Sequence, residues 1–227
     1  MRIPEIIATI GPASMPLSVL KKMKAEGMAF GRVNTKYGSV EEYCEILETL
    51  RGLKCKIIFD IKDLKYIDWL KSQKFDYLAL SFTESARQIK EIRKLIDVKI
   101  IAKIETQKGV DNIKEIIREA DGVMVARGDL GRHVPIEELP IFQKRIIREC
   151  NRQNKFVITA TEMLLSMTKS KVPERAEVSD IANAVLDGSN ALMLSEETAI
   201  GKYPVLCVNM MQRIIKETVK MKDKTYL

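Results

Sequence analysis

Eight short apolar segments, each followed by a stretch of helical periodicity, constrain the fold of this chain more than any other feature. Segments of this length that are bounded by turn residues are typical of buried strands. Strict alternation of strand and helix predicts a parallel sheet with right-handed crossovers, and eight such units predict a closed (β/α)₈ barrel, the TIM barrel of α/β proteins. The predicted strands cover residues 6–10, 28–34, 56–60, 77–81, 98–104, 123–126, 156–160 and 191–194.

The helical stretches between these strands have recognisable ends. Ser39 precedes one of them and Glu42 follows at the spacing of a capping box. No linker rich in glycine or serine interrupts the 227 residues, so we expect a single TIM-barrel domain over residues 1–227 with few insertions. The predicted helices cover residues 17–26, 39–50, 63–72, 85–95, 110–119, 136–153, 175–186 and 203–220.

Composition narrows the classes of function. No apolar run reaches the roughly 20 residues of a membrane helix, and the first residues lack a signal-peptide pattern, so we expect a cytoplasmic protein without a membrane partner. The net charge is +7, but the basic residues alternate with acidic ones and aromatic residues make up only 6%, so a small anionic ligand is favoured over nucleic acid. The four cysteines form no C-x-x-C pair and the chain has one histidine, which argues against a zinc site.

Polar side chains stand where the predicted strands end. In a barrel of this kind the active site lies at the carboxyl ends of the strands, so these residues are the candidates for chemistry. In chain order they are Arg32 and Asn34, Asp60, Ser81, Lys103 and Glu105, Arg127 and Asp129, Thr161, and Ser195 and Glu197.

The segment 121–131 places a carboxylate, Asp129, between two glycines directly after a buried strand. Taken alone, this segment fits a helix-capping turn as well as it fits a metal site. Glu105 ends the preceding strand, so two carboxylates come from adjacent strands. Two carboxylates completed by water or substrate oxygens suit Mg²⁺ or Mn²⁺, which favours the metal site.

Lys103 stands two residues before Glu105, so strand alternation predicts that both side chains point to the same side of their strand. The ammonium would then act beside the metal and the substrate, or the two residues would form a structural ion pair. Because burying charges is costly, we favour a functional role. Arg32 would clamp a phosphate or carboxylate, or pair with Asp60. His133 precedes Pro135 and is expected to be a loop residue.

Several segments together resemble the pyruvate kinase family, and they cover almost the whole chain in order. The strongest match is Ile-Ala-Lys-Ile-Glu at 101–105, and Met-Val-Ala-Arg-Gly-Asp-Leu-Gly at 124–131 is similar to the family's metal-binding turn. The remaining matches are segments 8–14, 31–34, 160–164 and 173–188.

The resemblance implies a role for each matching residue. Lys103 would stabilise enolate or phosphoryl charge, Arg32 would contact the phosphoryl group, and Thr161 would help relay a proton to the enolate. Glu105 and Asp129 would hold Mg²⁺ or Mn²⁺. The substrate, phosphoenolpyruvate, pyruvate or a related keto acid, would be bordered by Ala126, Arg127, Gly128, Asp129, Thr161 and Ser81. Asn34 and Asp60 are similar to the family's monovalent-cation ligands.

The chain also departs from the family. Asp60 runs directly into residues 61–64, where the family inserts a small β domain as a lid over the nucleotide, and the sequence stops where the family has a C-terminal domain. Lys36 replaces a serine ligand of the monovalent cation, so we hypothesise that its ammonium takes the place of K⁺. Glu196 replaces a glycine after the eighth strand.

Three functions remain open. The first is a pyruvate kinase-like enzyme that acts on phosphoenolpyruvate or pyruvate, with ADP or ATP as the nucleotide. The second is a lidless metal-dependent lyase or enolate-forming enzyme, for example an oxaloacetate decarboxylase. The third is a non-catalytic barrel that binds a ligand or a partner. The resemblance is also compatible with a homo-oligomer or with a partner that supplies a lid.

Overall fold

Eight parallel strands close into a barrel in chain order, with the last strand paired to the first. The structure is a computed structural model that describes residues 3–223. It confirms the predicted (β/α)₈ architecture. The strands are β1 (Glu5–Thr9), β2 (Met28–Asn34), β3 (Lys56–Ile61), β4 (Tyr77–Leu80), β5 (Lys99–Ile104), β6 (Gly122–Ala126), β7 (Phe156–Ala160) and β8 (Ala191–Leu194).

Helices surround the barrel and follow each strand. Short 3₁₀ turns at Ile136–Glu138 and Leu165–Thr168 join them. The α-helices are α1 (Leu17–Ala25), α2 (Val40–Gly52), α3 (Ile67–Leu70), α4 (Ala86–Leu95), α5 (Gln107–Asp111), α6 (Ile113–Glu119), α7 (Arg127–Leu130), α8 (Leu139–Arg152), α9 (Arg175–Asp187), α10 (Glu196–Ala199) and α11 (Pro204–Asp223).

Local capping explains where several helices begin and end. The predicted capping box of α2 is confirmed, since the Ser39 side chain accepts from the Glu42 N–H and the Glu42 carboxylate accepts from the Ser39 N–H. The helix predicted over 63–72 is wrong in length, because an Asx turn in which Asp63 accepts from the Lys65 N–H occupies its start. The helix predicted over 110–119 is interrupted at Asn112, whose side chain donates to the Glu84 carbonyl across the loop.

The segment 127–131 is a single helical turn, α7, rather than an irregular turn, and α10 was not predicted. Both lie directly after a strand, where a short helix leaves too few residues for periodicity to be visible. No helix within residues 3–223 has the length and apolar character needed to cross a membrane.

The interior of the barrel is filled by inward-facing apolar side chains, and the aromatic members lie near the amino ends of the strands. Phe30, Tyr77 and Phe156 contact one another there, with ring centroids 5.9 to 6.1 Å apart. A separate, larger apolar layer lies between the strands and the helices. The barrel is therefore a packed core, and only its carboxyl end remains for chemistry. The buried apolar residues of the interior are Ile7, Phe30, Ile58, Ala79, Ile101, Met124, Ala126, Ile158, Ala160, Ala191 and Met193.

Candidate active site

A layer of buried polar side chains caps the interior of the barrel on the side of β1 to β5. Each of its members stands two residues after an apolar side chain of the interior, so strand alternation turns it to the same inner face. On β6 to β8 the corresponding positions carry apolar residues, so the layer covers one half of the barrel mouth. The polar members are Thr9, Arg32, Asp60, Ser81 and Lys103.

Asp60 is the centre of this layer. One carboxylate oxygen accepts from Arg32 Nε at 2.9 Å and from Nη2 at 2.7 Å. The other accepts from Lys103 Nζ at 3.0 Å and from Ser81 Oγ at 3.4 Å. Burial alone would raise the pKa of Asp60, but the guanidinium and the ammonium outweigh burial and hold the pKa below its usual range. Asp60 is therefore an ionised anchor for two buried cations.

Lys103 bridges two carboxylates at the tip of β5. Its Nζ lies 3.0 Å from Glu105 Oε1 and donates to Ser81 Oγ at 2.8 Å. This confirms that Lys103 and Glu105 point to the same side of their strand. The ion pair expected from a structural role and the placement expected from a catalytic role are thus both present. The two cations and two carboxylates of this group, including Arg32 and Asp60, cancel in formal charge.

Glu105 is almost fully enclosed, with 1% of its surface exposed. Its second oxygen accepts from the Phe82 N–H at 2.6 Å. Desolvation raises the pKa of Glu105 above its usual range, although Lys103 and the Phe82 N–H act in the opposite direction. Phe82 itself has a φ of 51°, an unusual backbone conformation that aims its N–H at this carboxylate.

A cleft of about 700 Å³ lies over the polar layer. Arg32, Asp60, Ser81 and Lys103 line it from below, whereas Glu105 does not reach its surface. Loops after β6, β7 and β8 form the opposite side. The residues that these loops contribute are Gly128, Asp129, Arg132, Thr161, Glu162, Ser195, Glu196, Ala199 and Ile200.

Asp129 lies on this opposite side, on the single turn of α7. Its side chain is 41% exposed and pairs with Arg132 at 3.4 Å. Within residues 3–223, no group of three acidic, cysteine or histidine side chains is arranged to hold a metal. Only Asp129 of the two predicted metal ligands lines the cleft, and a metal held between it and Glu105 needs further oxygen ligands from elsewhere.

The backbone is strained on the β7 side of the cleft. Thr161 and Glu162 have φ values of 78° and 54°, and such values are rare for residues other than glycine, especially for a β-branched one. Gly128 lies against Thr161, since a Cβ at position 128 would be 2.8 Å from Thr161 Cγ2. Consecutive positive φ values beside a cleft are typical of functional sites, and no sequence signal indicated them.

Arg127 and Lys36 take positions that sequence patterns do not specify. The Arg127 guanidinium turns away from the cleft and pairs with Asp180 of α9 at 2.7 Å. The Lys36 ammonium lies over the Tyr37 ring, 5.1 Å from its centroid, and makes no ion pair with a described carboxylate. Asn34 Oδ1 accepts from the Lys36 N–H at 3.1 Å. That the Lys36 ammonium takes the place of K⁺ stays a prediction.

Two other predicted residues, Ser195 and Glu197, and the histidine, His133, form hydrogen bonds within the loops. Glu197 is buried and accepts from the Ser195 N–H at 2.7 Å and the Leu164 N–H at 2.9 Å, so it ties the loop after β8 to the loop after β7. His133 is exposed, with Nδ1 2.8 Å from the Asp129 carbonyl oxygen. It is a loop residue, as its position after the turn and two residues before Pro135 predicted.

Thr9 is a member of the polar layer that sequence reasoning missed. Its hydroxyl accepts from Arg32 Nη1 at 2.9 Å and donates to the Leu194 carbonyl at 2.9 Å. A signal was present, because Thr9 follows Ile7 at the inward-facing spacing of β1. Arg132 and Lys62 also line the cleft, and nothing in their local sequence distinguishes them from surface cations.

Comparison of the sequence with known proteins identifies the family to which this chain is similar. Residues 57–208 match the family model "Pyruvate kinase, barrel domain". The pyruvate kinase of Methanocaldococcus jannaschii is 51% identical over 164 residues, which cover 70% of this chain and 37% of that protein. That of Dictyostelium discoideum is 47% identical over 225 residues, 97% of this chain and 44% of the relative.

The pyruvate kinase of Thermococcus litoralis is 32% identical over 333 residues, 96% of this chain and 70% of the relative. Because this alignment is longer than the chain, the relative carries a long stretch without a counterpart here. The chain therefore spans less than half of the first two relatives and lacks internal residues of the third.

Proposed function

Because this chain belongs to the pyruvate kinase family, we propose that its barrel is an enzyme that uses a divalent metal for enolpyruvate chemistry on phosphoenolpyruvate or pyruvate. One observation carries the proposal: the Lys103 ammonium reaches the floor of the cleft while it is held between Asp60 and Glu105. A buried cation fixed in this way can stabilise negative charge that develops on a substrate oxygen without first reorganising.

Glu105 and Asp129 are the carboxylates that would hold Mg²⁺ or Mn²⁺. Asp129 lines the cleft, whereas Glu105 lies behind the cleft surface and would have to exchange its contact with Lys103 or with the Phe82 N–H for the metal. Glu105 and Asp129 supply hard carboxylate oxygens from the ends of β5 and β6, which are neighbours in the barrel. Such ions are commonly held by one or two carboxylates and completed by water and substrate oxygens. When bound, the metal would polarise the substrate oxygen and stabilise the enolate.

Arg32 and Thr161 would act on the substrate itself. Three N–H groups of Arg32 are engaged by Asp60 and Thr9, and a guanidinium has five, so two remain for a phosphoryl group. The Thr161 hydroxyl makes no hydrogen bond with another described residue. We place it beside the enolate carbon, where it would pass on a proton. Main-chain atoms of 126–128 and the Ser81 hydroxyl would border the substrate carboxylate.

The second candidate is a metal-dependent lyase or enolate-forming enzyme, such as an oxaloacetate decarboxylase. It is favoured by the short path from β3 to α3, which leaves no inserted domain over the cleft. Phosphoryl transfer relies on positioning the nucleotide and excluding water, whereas decarboxylation and enolisation need only the barrel mouth. A second copy or a partner protein that supplies a lid would restore the first candidate, with ADP or ATP bound beneath it.

One experiment separates the candidates. The protein is incubated with Mg²⁺ or Mn²⁺, and NMR follows ATP formation from phosphoenolpyruvate and ADP, loss of oxaloacetate, and deuterium exchange into the pyruvate methyl group. ATP formation supports the kinase-like enzyme, and decarboxylation or exchange without ATP supports the second candidate. Lys103→Met should lower the rate of whichever reaction is found by about 10²- to 10³-fold.

Lys90→Met is the matched control, since Lys90 is an exposed residue of α4 that pairs with Glu119 at 3.7 Å. If all three reactions are absent and the wild-type, Lys103→Met and Lys90→Met proteins are indistinguishable, the barrel is a non-catalytic binding protein and both enzymatic candidates fail. If a reaction is found but Lys103→Met reacts as fast as Lys90→Met, the role assigned to Lys103 fails.

We also propose that the site works without K⁺. The family's monovalent-cation position corresponds to Asn34 and Asp60, yet both oxygens of Asp60 already accept from protein cations. Asn34 in turn accepts from the Lys36 main chain. This donor set has little capacity left for another cation.

A further inference from the structure

We propose that Arg127 is a positioning residue that holds Thr161 in place from behind the cleft. The inference rests on the proposed function, in which Thr161 passes a proton to the enolate. The Arg127 side chain is 13% exposed and does not line the cleft, so it cannot contact the substrate directly. Its guanidinium instead lies between the short helix α7 and the end of β7.

The first set of contacts holds the main chain at the end of β7. Arg127 Nη2 donates to the Thr161 carbonyl oxygen at 2.7 Å, and Nε donates to the Ala160 carbonyl oxygen at 3.2 Å. Nη2 also lies 2.9 Å from the sulfur of Met163. The last residue of β7 and two residues of the loop after it are thus attached to a single rigid, planar group.

The second set of contacts anchors the guanidinium to the helices outside the barrel. Nη1 donates to Asp180 of α9 at 2.7 Å and to Gln143 of α8 at 3.2 Å. The Asp180 pair is partly buried, so it is better shielded from solvent than a surface ion pair. The loop after β7 is therefore tied, through Arg127, to two helices that are themselves packed on the barrel.

The contacts of Arg127 hold the loop after β7 in a strained backbone conformation. Each positive φ at Thr161 and Glu162 costs about 1–3 kcal/mol and persists only where the surroundings impose it. Arg127 holds the Thr161 carbonyl while the next residue, Gly128, packs on the Thr161 methyl group. Without the guanidinium, the loop is free to relax towards ordinary φ values, and the hydroxyl would leave the cleft position that the proton transfer requires.

The same contacts link the two sides of the proposed site. Arg127 begins α7, the turn that carries Asp129, so one side chain links the turn of Asp129 to the main chain of Thr161. The Arg-Gly-Asp segment thus combines three tasks. Arg127 positions the opposing loop, Gly128 leaves room for Thr161, and Asp129 faces the cleft.

The test compares Arg127→Lys and Asp180→Asn with a matched control, Asp187→Asn. Asp187 ends the same helix and pairs with Lys144 of α8. It also accepts from Gln143 Nε2 at 3.4 Å, a hydrogen bond that an asparagine oxygen can keep, and it has no hydrogen bond to the described residues of the loop after β7. NMR measures the backbone ¹³C shifts of Thr161 and Glu162, which report φ and ψ, and the NOE between the Thr161 methyl group and the Gly128 Hα. Both test variants should shift these signals and weaken the NOE, whereas Asp187→Asn should not.

The kinetic readout is deuterium exchange into pyruvate in the presence of Mn²⁺. We expect kcat to fall roughly 10- to 100-fold in the test variants while KM changes less than about threefold, because the loss is one of positioning and not of ground-state binding. A shift of KM alone, or shifts and NOE equal to those of Asp187→Asn, would overturn the proposal.

Thermal unfolding separates positioning from loss of fold. If Arg127→Lys does not fold, Asp180→Asn decides the question, because it keeps the arginine and an oxygen acceptor and loses only the charge. If the wild-type protein catalyses neither this exchange nor the other two reactions, the proposed function fails, and the NMR comparison still decides whether Arg127 holds the loop.

Discussion

Replacing Asp60 by asparagine should destabilise this barrel far more than an ordinary charge-neutralising substitution. The carboxylate accepts hydrogen bonds from Arg32, Lys103 and Ser81 and is buried with both cations. An asparagine has one oxygen, so its NH₂ group would face either the guanidinium or the ammonium, donor against donor. The formally neutral group of two cations and two carboxylates would also gain a buried positive charge.

The magnitude follows from the loss of one partner in a buried charged network, about 3–5 kcal/mol. For a chain of this size each kcal/mol lowers Tm by about 2–4 °C, so we expect a decrease of about 6–20 °C. The pKa of Asp60 is lowered in the folded state, so its contribution is present above its unfolded pKa of about 3.9 and is lost as the pH falls through the lower folded value. The contribution of the Asp60 carboxylate itself should therefore be constant above about pH 5. Loss of its charge also removes one cause of the raised pKa of Glu105, so the difference between the two proteins should not grow as the pH rises from about 5 to 8.

Calorimetry and urea unfolding of both proteins at several pH values provide the measurement. Asp68→Asn serves as the control, because Asp68 forms an exposed pair with Lys71 and should change stability by about 0.5 kcal/mol or less. A decrease in Tm below about 2 °C for Asp60→Asn, or a difference that grows between pH 5 and pH 8, would refute the assignment of Asp60 as an ionised anchor.

Three further predictions concern the cleft. Lys103→Met should lower the rate of pyruvate deuteration about 10²- to 10³-fold, as loss of a preorganised charge does, and an unchanged rate would exclude an electrostatic role. Gly128→Ala should lower stability by about 1–3 kcal/mol in urea unfolding, because its Cβ would meet Thr161 Cγ2 at 2.8 Å, and a neutral result would show that the loop yields freely. Titration with K⁺ in a Na⁺-free buffer should change the rate less than about twofold, since protein cations already occupy Asp60; a many-fold rise would show that Lys36 and its neighbours leave a true K⁺ site.

Much of the fold was predictable because its signals are local. The strands β2, β7 and β8 have the predicted bounds, and the capping box of α2 forms as its spacing indicates. The errors lie where a non-local or very short-range contact competes with helical periodicity. Asn112 breaks a predicted helix by bonding to the loop after β4, and Asp63 shortens α3 by an Asx turn.

The candidate site was predictable to a similar extent, from strand alternation. Alternation along β5 placed Lys103 and Glu105 on one side, as the structure confirms. It could not show that Glu105 lies behind the cleft surface while Asp129 lies on it, because that difference depends on how α7 leaves the barrel. Nor could it show the positive φ of Thr161, which the surrounding loops impose.

The sequence by itself determined the barrel and the identity of the residues at its mouth, since both follow from periods of two and of about 3.6 residues that are written along the chain. Only the tertiary structure decided the partner of each charge. Asp60 joins Arg32 and Lys103 because three strands bring them to one layer, and Arg127 turns from the cleft towards Asp180 because α9 offers a carboxylate there. Strand order and helix packing set those distances, and they arise only when the barrel closes.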